Sequence, residues 1–172
     1  WLVEEAGGCV LLVSETSGGG VRWGGSEDEI VVLRRAVVRY ESSLGIPSAC
    51  AAAAAAGIPL TRRWTARRVQ FVTGHDVDGA LPDDANLVAL ADPLATTVVF
   101  MGKRTFPALV EKLIANGLPA DTPALLAEAV STPDQVLKAT TVLELRKALQ
   151  AEFSPNPALI LYGPLATDYA DG

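Results

Sequence analysis

Histidine and cysteine are nearly missing from this chain, with one His and two Cys in 172 residues. Cys9 and Cys50 supply neither a disulfide framework nor metal-ligand spacing, which suits a reduced cytoplasmic setting. The lone His75 leaves no Cys/His partner set, so no metal site is expected. Long apolar runs are absent too. No segment approaches the roughly 18 uninterrupted apolar residues of a membrane span, and the alanine run from Ala49 to Ala56 is too short and too weakly hydrophobic. The opening WLVEEAGG carries no basic n-region and no signal-peptide core. Positive charge is scarce: the formal net charge is −6, which argues against nucleic acid or an anionic membrane as partner.

What the chain does have is core material, with 49% hydrophobic and 20% charged residues. That is enough for one ordinary domain or two small lobes. Val10 to Val13 reads as a buried strand, followed by a glycine-rich loop, SETSGGGVRWGGS. Ser26 and Glu29 have capping-box spacing, and Ile30, Leu33 and Ala36/Val37 continue at helical period. Val37 to Glu41 reads as a strand, and the Leu44-Gly45 turn as a boundary between lobes. An alanine helix follows, stopped by Gly57-Ile58-Pro59.

Val69 to Thr73 reads as a strand, with at most a short helix near Asn86–Ala91. Thr96 to Met101 is almost wholly apolar, the pattern of a strand covered on both faces. Phe106, Leu109, Val110, Leu113 and Ile114 fall on one helical face that Asn116-Gly117 ends. Pro123 to Val130 and Val136 to Thr140 read as strands. Thr141 and Glu144 cap a helix through about Ala151, and Ala158 to Tyr162 is a last buried strand. Strands and helices alternate, so the class is α/β with a mixed sheet.

Few residues offer chemistry. Gly18, Gly19, Gly20, Gly24 and Gly25 satisfy neither G-x-G-x-x-G nor the phosphate-loop pattern, and glycine clusters are most often turns. His75 follows a strand in T-G-H-D, where a hydrogen-bonded loop residue is the plain reading. Asp76-Val77-Asp78-Gly79 lacks the later ligands of a calcium loop and reads as a turn. Arg62, Arg63, Arg67 and Arg68 concentrate positive charge and can offer forked donors to carboxylates. The alternative is a solvated rim, or pairing with Asp83 and Asp84. Met101-Gly102 follows a buried strand, where α/β sheets meet ligands, although Met is also a core filler.

Four stretches carry a family resemblance: GIPSACAAAAAAGIPLTRR, VQFVTGHDVDGALP, TTVVFMGKRTFPALVEKLIANGLPADTPALLAEAVSTPDQ and PALILYGPLA. They are the strongest parts of a resemblance that runs from about Val10 to Leu165, to the uroporphyrinogen-III C-methyltransferases, S-adenosylmethionine (SAM)-dependent tetrapyrrole methylases. The resemblance implies two α/β lobes with SAM between them, a homodimer, and methyl transfer to uroporphyrinogen III giving precorrin-2, on the way to sirohaem and cobalamin. On this chain it places Ser17, Gly18, Gly19, Pro47, Ser48, Met101, Val130 and Ala158 at the cofactor. Arg62 and Arg63 would meet the substrate's carboxylate arms.

Departures from the family pattern are specific. Gly19 stands where the family has the Asp of Gly-Gly-Asp, and Leu44 where it has Pro. The opening Gly-x-Gly-Pro-Gly-Asp segment, with its proposed general base, has no counterpart. The resemblance therefore implies an N-terminally incomplete methylase, with residues 1–45 a partial N-terminal lobe and 46–172 the C-terminal lobe; no catalytic residue is assigned. The second reading is a non-catalytic methylase-derived lobe that serves dimerisation or ligand binding.

Overall fold

A computed structural model describes residues 31–36, 45–75, 80–151 and 154–166. The strands expected at 10–13 and 37–41, the glycine-rich loop, and the turn at 76–79 lie outside the described residues. The chain divides into two compact units, Trp1–Pro47 and Ser48–Gly172. In the first, residues 31–35 are helical (α1), with Leu33 buried.

The second unit opens with helix α2, Ser48–Ala55. Ala49, Ala52, Ala53 and Ala56 recur at helical period and are buried. Their small side chains fill little volume, so a close neighbour is the only way such a face is covered without voids. Gly57 ends the helix at φ 66. Its N–H reaches the Ala54 carbonyl (3.1 Å), and that of Ile58 reaches Ala53 (3.0 Å). This is the two-bond C-terminal cap that a left-handed glycine allows.

Five strands follow in chain order: β1 (Arg68–Thr73), β2 (Ala95–Phe100), β3 (Pro123–Glu128), β4 (Val136–Thr141) and β5 (Ala158–Tyr162). They form one sheet in the order β1-β2-β5-β3-β4. β1 pairs parallel with β2, whereas β5 runs antiparallel to both β2 and β3, and β4 antiparallel to β3. The mixed sheet expected from the sequence is present. Every residue of β2 is buried, as its unbroken apolar pattern predicts for a strand covered on both faces.

Three further helices lie among the described residues of this unit: α3 (Leu87–Leu90), α4 (Phe106–Ala115) and α5 (Val142–Ala151). The main core joins Leu109, Val110 and Leu113 of α4 to Val142 and Leu145 of α5. It continues onto Val99, Leu126, Ile160 and Tyr162 of the sheet. Burying each large aliphatic side chain contributes about 2 kcal/mol. Gly117, at φ 97, caps α4 as Gly57 caps α2. At the start of α5, Thr141 Oγ1 accepts from the Glu144 amide at 3.2 Å; Glu144 itself pairs with Lys147.

Two strand ends differ from expectation. β2 stops at Phe100 rather than Met101, and β3 at Glu128 rather than Val130. In each case the next residue takes a left-handed backbone conformation, φ 51 at Met101 and φ 46 at Ala129, which extended pairing cannot continue.

Candidate functional site

Because β1, β2 and β3 run the same way, their carboxyl ends lie along one edge of the sheet. The amino end of the oppositely directed β5 joins them there, with Thr73 opposite Phe100, Phe100 opposite Leu159, and Glu128 opposite Ala158. This carboxyl edge therefore brings together Gly74, Met101, Ala129–Ser131 and Ala158. Met101, Val130 and Ala158, three of the cofactor residues expected from the sequence, are separated by up to 57 positions yet share this edge.

Backbone conformation sets the edge apart. Among the described residues, Met101, Ala129 and Ser131 (φ 66) have positive φ without being glycine. All three lie here. Such conformations cost about 1–3 kcal/mol each and persist only where surroundings hold them. Met101 is 46% exposed, so its side chain faces solvent rather than filling the core.

Behind Met101 the backbone is closely packed. A Cβ on Gly74 would lie 2.3 Å from the Gly102 Cα, and one on Gly102 would lie 2.4 Å from Val99 Cγ1. The Thr105 hydroxyl donates to the Gly74 carbonyl, and the Gly74 N–H extends the β1–β2 ladder to the Phe100 carbonyl at 2.7 Å. The two strand ends are thereby joined before either loop departs.

At the β3 end, the Ala129 amide donates to the Pro157 carbonyl at 2.9 Å. The loop beyond it is self-braced: Thr132 Oγ1 donates to the Ala129 carbonyl (2.8 Å), and Gln135 accepts from the Ser131 amide (3.0 Å). Lys103 and Glu128 form an ion pair with both side chains only 10% exposed. The Lys103 ammonium also donates to the carbonyls of Ser154 (2.7 Å) and Asn156 (3.0 Å).

The arginine group lies elsewhere. Arg68 begins the six-residue β1 at its amino end, five residues before Thr73, about 17 Å from the carboxyl edge at strand rise. The hairpin entering β1 closes with the Arg62 amide on the Ala66 carbonyl at 2.7 Å. It leaves Trp64 80% exposed, with the Arg67 guanidinium 6.0 Å from the ring centre. Arg62 and Arg63 are exposed on this hairpin. Arg68 pairs with Asp92 rather than with Asp83 or Asp84, because the β1–β2 register brings Arg68 beside Ala95.

Ser48 is half-buried at the first turn of α2, and Pro47, also half-buried, belongs to the first unit. Ser17, Gly18 and Gly19 lie outside the described residues. His75 sits just past β1, at the carboxyl edge; its Nδ1 is shielded from solvent and has no hydrogen-bond partner among the described residues. Beside it, Phe71, Gly74, Leu81, Asn86 and Leu109 help line a cavity of about 440 Å³. Among the described residues, no group of three His, Cys, Asp or Glu could hold a metal ion, and no helix is long and apolar enough to cross a membrane.

Sequence reasoning missed Lys103 and Glu128. The available signal was Ser-Pro-Asn-Pro at 154–157: two prolines deprive that loop of amide donors, so its carbonyls need a donor from elsewhere.

A mixed α/β sheet with a conformationally strained carboxyl edge defines an α/β unit, a class of fold in which ligands are commonly taken at strand ends. The chain belongs to the tetrapyrrole (corrin/porphyrin) methylases, whose family profile matches residues 17–146. It is 37% identical over 161 residues to the S-adenosyl-L-methionine-dependent uroporphyrinogen III methyltransferase, chloroplastic, of Arabidopsis thaliana, covering 92% of this chain and 42% of that protein. A siroheme synthase of Chromobacterium violaceum is 39% identical over 141 residues, covering 82% of this chain and 30% of that protein. Among solved structures, the uroporphyrin-III C-methyl transferase of Thermus thermophilus complexed with S-adenyl homocysteine superposes with a TM-score of 0.70 at 30% identity. That match covers 85% of this chain and 62% of the other. The chain thus spans less than half the length of these two curated relatives.

Proposed function

We propose that the chain contributes to SAM-dependent C-methylation of a polycarboxylate tetrapyrrole, uroporphyrinogen III, yielding precorrin-2 for sirohaem or cobalamin. The observation that carries this reading is the convergence of Met101, Val130 and Ala158 on one strained sheet edge. The family membership, the name of the plant relative and the S-adenyl homocysteine complex of the bacterial one support it. A homodimer working in the cytoplasm belongs to the same proposal.

The residues present suit such a cofactor. Met101 offers an exposed, polarisable thioether side chain on a backbone fixed by Gly102 and Gly74. Val130 and Ala158 offer small apolar surface and nearby backbone polar groups, which suit the adenosyl part. When bound, SAM supplies a methyl group activated on its sulfonium. The chain's part is to hold that group in a fixed orientation, since near-attack geometry provides much of the rate. Pro47 and Ser48, together with Ser17, Gly18 and Gly19, complete the proposed cofactor set. Arg62 and Arg63 are proposed to take substrate carboxylates.

The test is incubation of the 172-residue chain with methyl-labelled SAM and uroporphyrinogen III, read by product mass and label transfer. Label in a mono- or dimethylated tetrapyrrole supports methylation. Binding of S-adenosylhomocysteine without transfer supports a non-catalytic methylase-derived lobe, and absence of both sinks each reading.

A further inference from the structure

We propose that Lys103 is a positioning residue, a buried clasp that holds the chain segments of the carboxyl edge in one arrangement. Its importance for the cofactor rests on the function proposed above; the clasp itself does not.

An ammonium group has three N–H donors and no acceptor. At Lys103 two of them are given to the Ser154 and Asn156 carbonyls of one loop, and the same ammonium is ion-paired with the Glu128 carboxylate at the end of β3. Lys103 itself follows Met101 by two residues, so one side chain ties the end of β2 to the end of β3 and to the loop entering β5. The loop needs that donor. Pro155 and Pro157 have no N–H, and the Asn156 amide is engaged by Ser154 Oγ at 3.2 Å. The third carbonyl of the run, Pro157, accepts from Ala129. Carbonyls of three residues in a four-residue loop are therefore satisfied from the β2 and β3 ends.

Stability alone does not call for this arrangement. A buried ion pair recovers its desolvation cost only with good geometry, and an apolar pair of similar volume is often as stable. What an apolar pair lacks is direction. The ammonium fixes where the 154–157 loop lies, and the loop in turn fixes Ala129 next to Glu128. Lys147–Glu144 offers the internal contrast: its side chains are 60% and 58% exposed, three residues apart on one helix, and it links no separate segments. Arginine would not replace Lys103, because its planar fork is larger and cannot direct donors to three partners set around a point.

The test uses K103M/E128Q, which removes both charges together and leaves no buried ion unpaired. Hydrogen exchange at the Ala129 and Asn156 amides should quicken at least about tenfold, while α4 interior amides such as Val110 and Leu113 stay at wild-type rates. Affinity for S-adenosylhomocysteine should fall at least about tenfold. K103R, which keeps the charge at this position, should show the same two losses. Wild-type exchange at Ala129 and Asn156 in the double variant would overturn the clasp. Faster exchange with unchanged affinity would overturn its positioning role. A wild-type chain that binds no S-adenosylhomocysteine would instead count against the proposed function, with the exchange result still judging the clasp.

Discussion

The two ends of the parallel strands β1 and β2 are built on opposite plans. At the carboxyl ends the chain is over-determined: Gly74 and Gly102 in backbone contact, Thr105 on the Gly74 carbonyl, and Lys103 buried among three acceptors. At the amino end of β1, an exposed hairpin carries Trp64 and the arginines, with the Arg62–Ala66 backbone bridge, the Arg67 Nε–Arg63 carbonyl bond and the Arg67 guanidinium over the Trp64 ring among its ties. The first end stores strain and pins it; the second presents charge on a mobile-length side chain set. Rigid backbone suits a ligand whose reacting atom must be placed, whereas exposed arginines suit carboxylates that need only be gathered.

Substitutions can break or sharpen this contrast. The largest effect is expected from Gly74→Ala, because the added Cβ would run into the Gly102 backbone, which cannot rotate away. Urea unfolding should show a loss of about 3 kcal/mol; a loss below about 0.5 kcal/mol would mean that the carboxyl end is looser than described.

Tyr162 marks the buried middle ground. Its hydroxyl donates to the Leu90 carbonyl at 2.9 Å, so Tyr162→Phe should cost about 1–2 kcal/mol. Burial raises its phenol well above the ordinary value of 10, a hydrogen bond with Thr97 opposing in part. Below pH 10 the phenol is protonated in folded and unfolded chains alike, and it adds no pH dependence. Above pH 10 the unfolded chain ionises first, so stability should fall as pH rises. The Phe variant should lose that part of the alkaline slope in denaturation measured from pH 9 to 11.

Met101→Gly should act in the opposite direction. Glycine adopts φ 51 without steric cost, and the Met side chain is half exposed. Thermal unfolding should show stability unchanged or raised by up to about 1 kcal/mol, while cofactor affinity falls. A destabilised variant would show that Met101 is held for packing.

The smallest effect belongs to the arginine end. Arg68 is 56% exposed in its pair with Asp92, and Arg68→Ala should change stability by less than about 0.5 kcal/mol in moderate salt. A larger loss would erase the contrast between the two ends.

The sequence was most legible where one side chain pattern decided one element. Phe106, Leu109, Val110 and Leu113 announced α4, and the apolar run of β2 announced a strand buried on both faces. Strand ends were less legible: Met101 and Ala129 are not glycines, and only surrounding contacts hold them at positive φ. Strand order was illegible, since the insertion of β5 between β2 and β3 depends on long-range pairing. The split of the arginine group follows from it: Arg68 and Asp92 are 24 residues apart and meet through the β1–β2 register. Met101, Val130 and Ala158 were reachable through family resemblance, and the sheet supplies the physical reason they share an edge. The Lys103 clasp depends on contacts spanning 51 and 53 residues, which no local pattern encodes.

The central claim is that the carboxyl edge, and not the arginine hairpin, carries the cofactor. Calorimetric titration of S-adenosylhomocysteine into wild type, Met101→Ala and Arg63→Ala tests it most directly. Met101→Ala should weaken binding at least about tenfold, with Arg63→Ala within about twofold of wild type. The reverse order would contradict the claim.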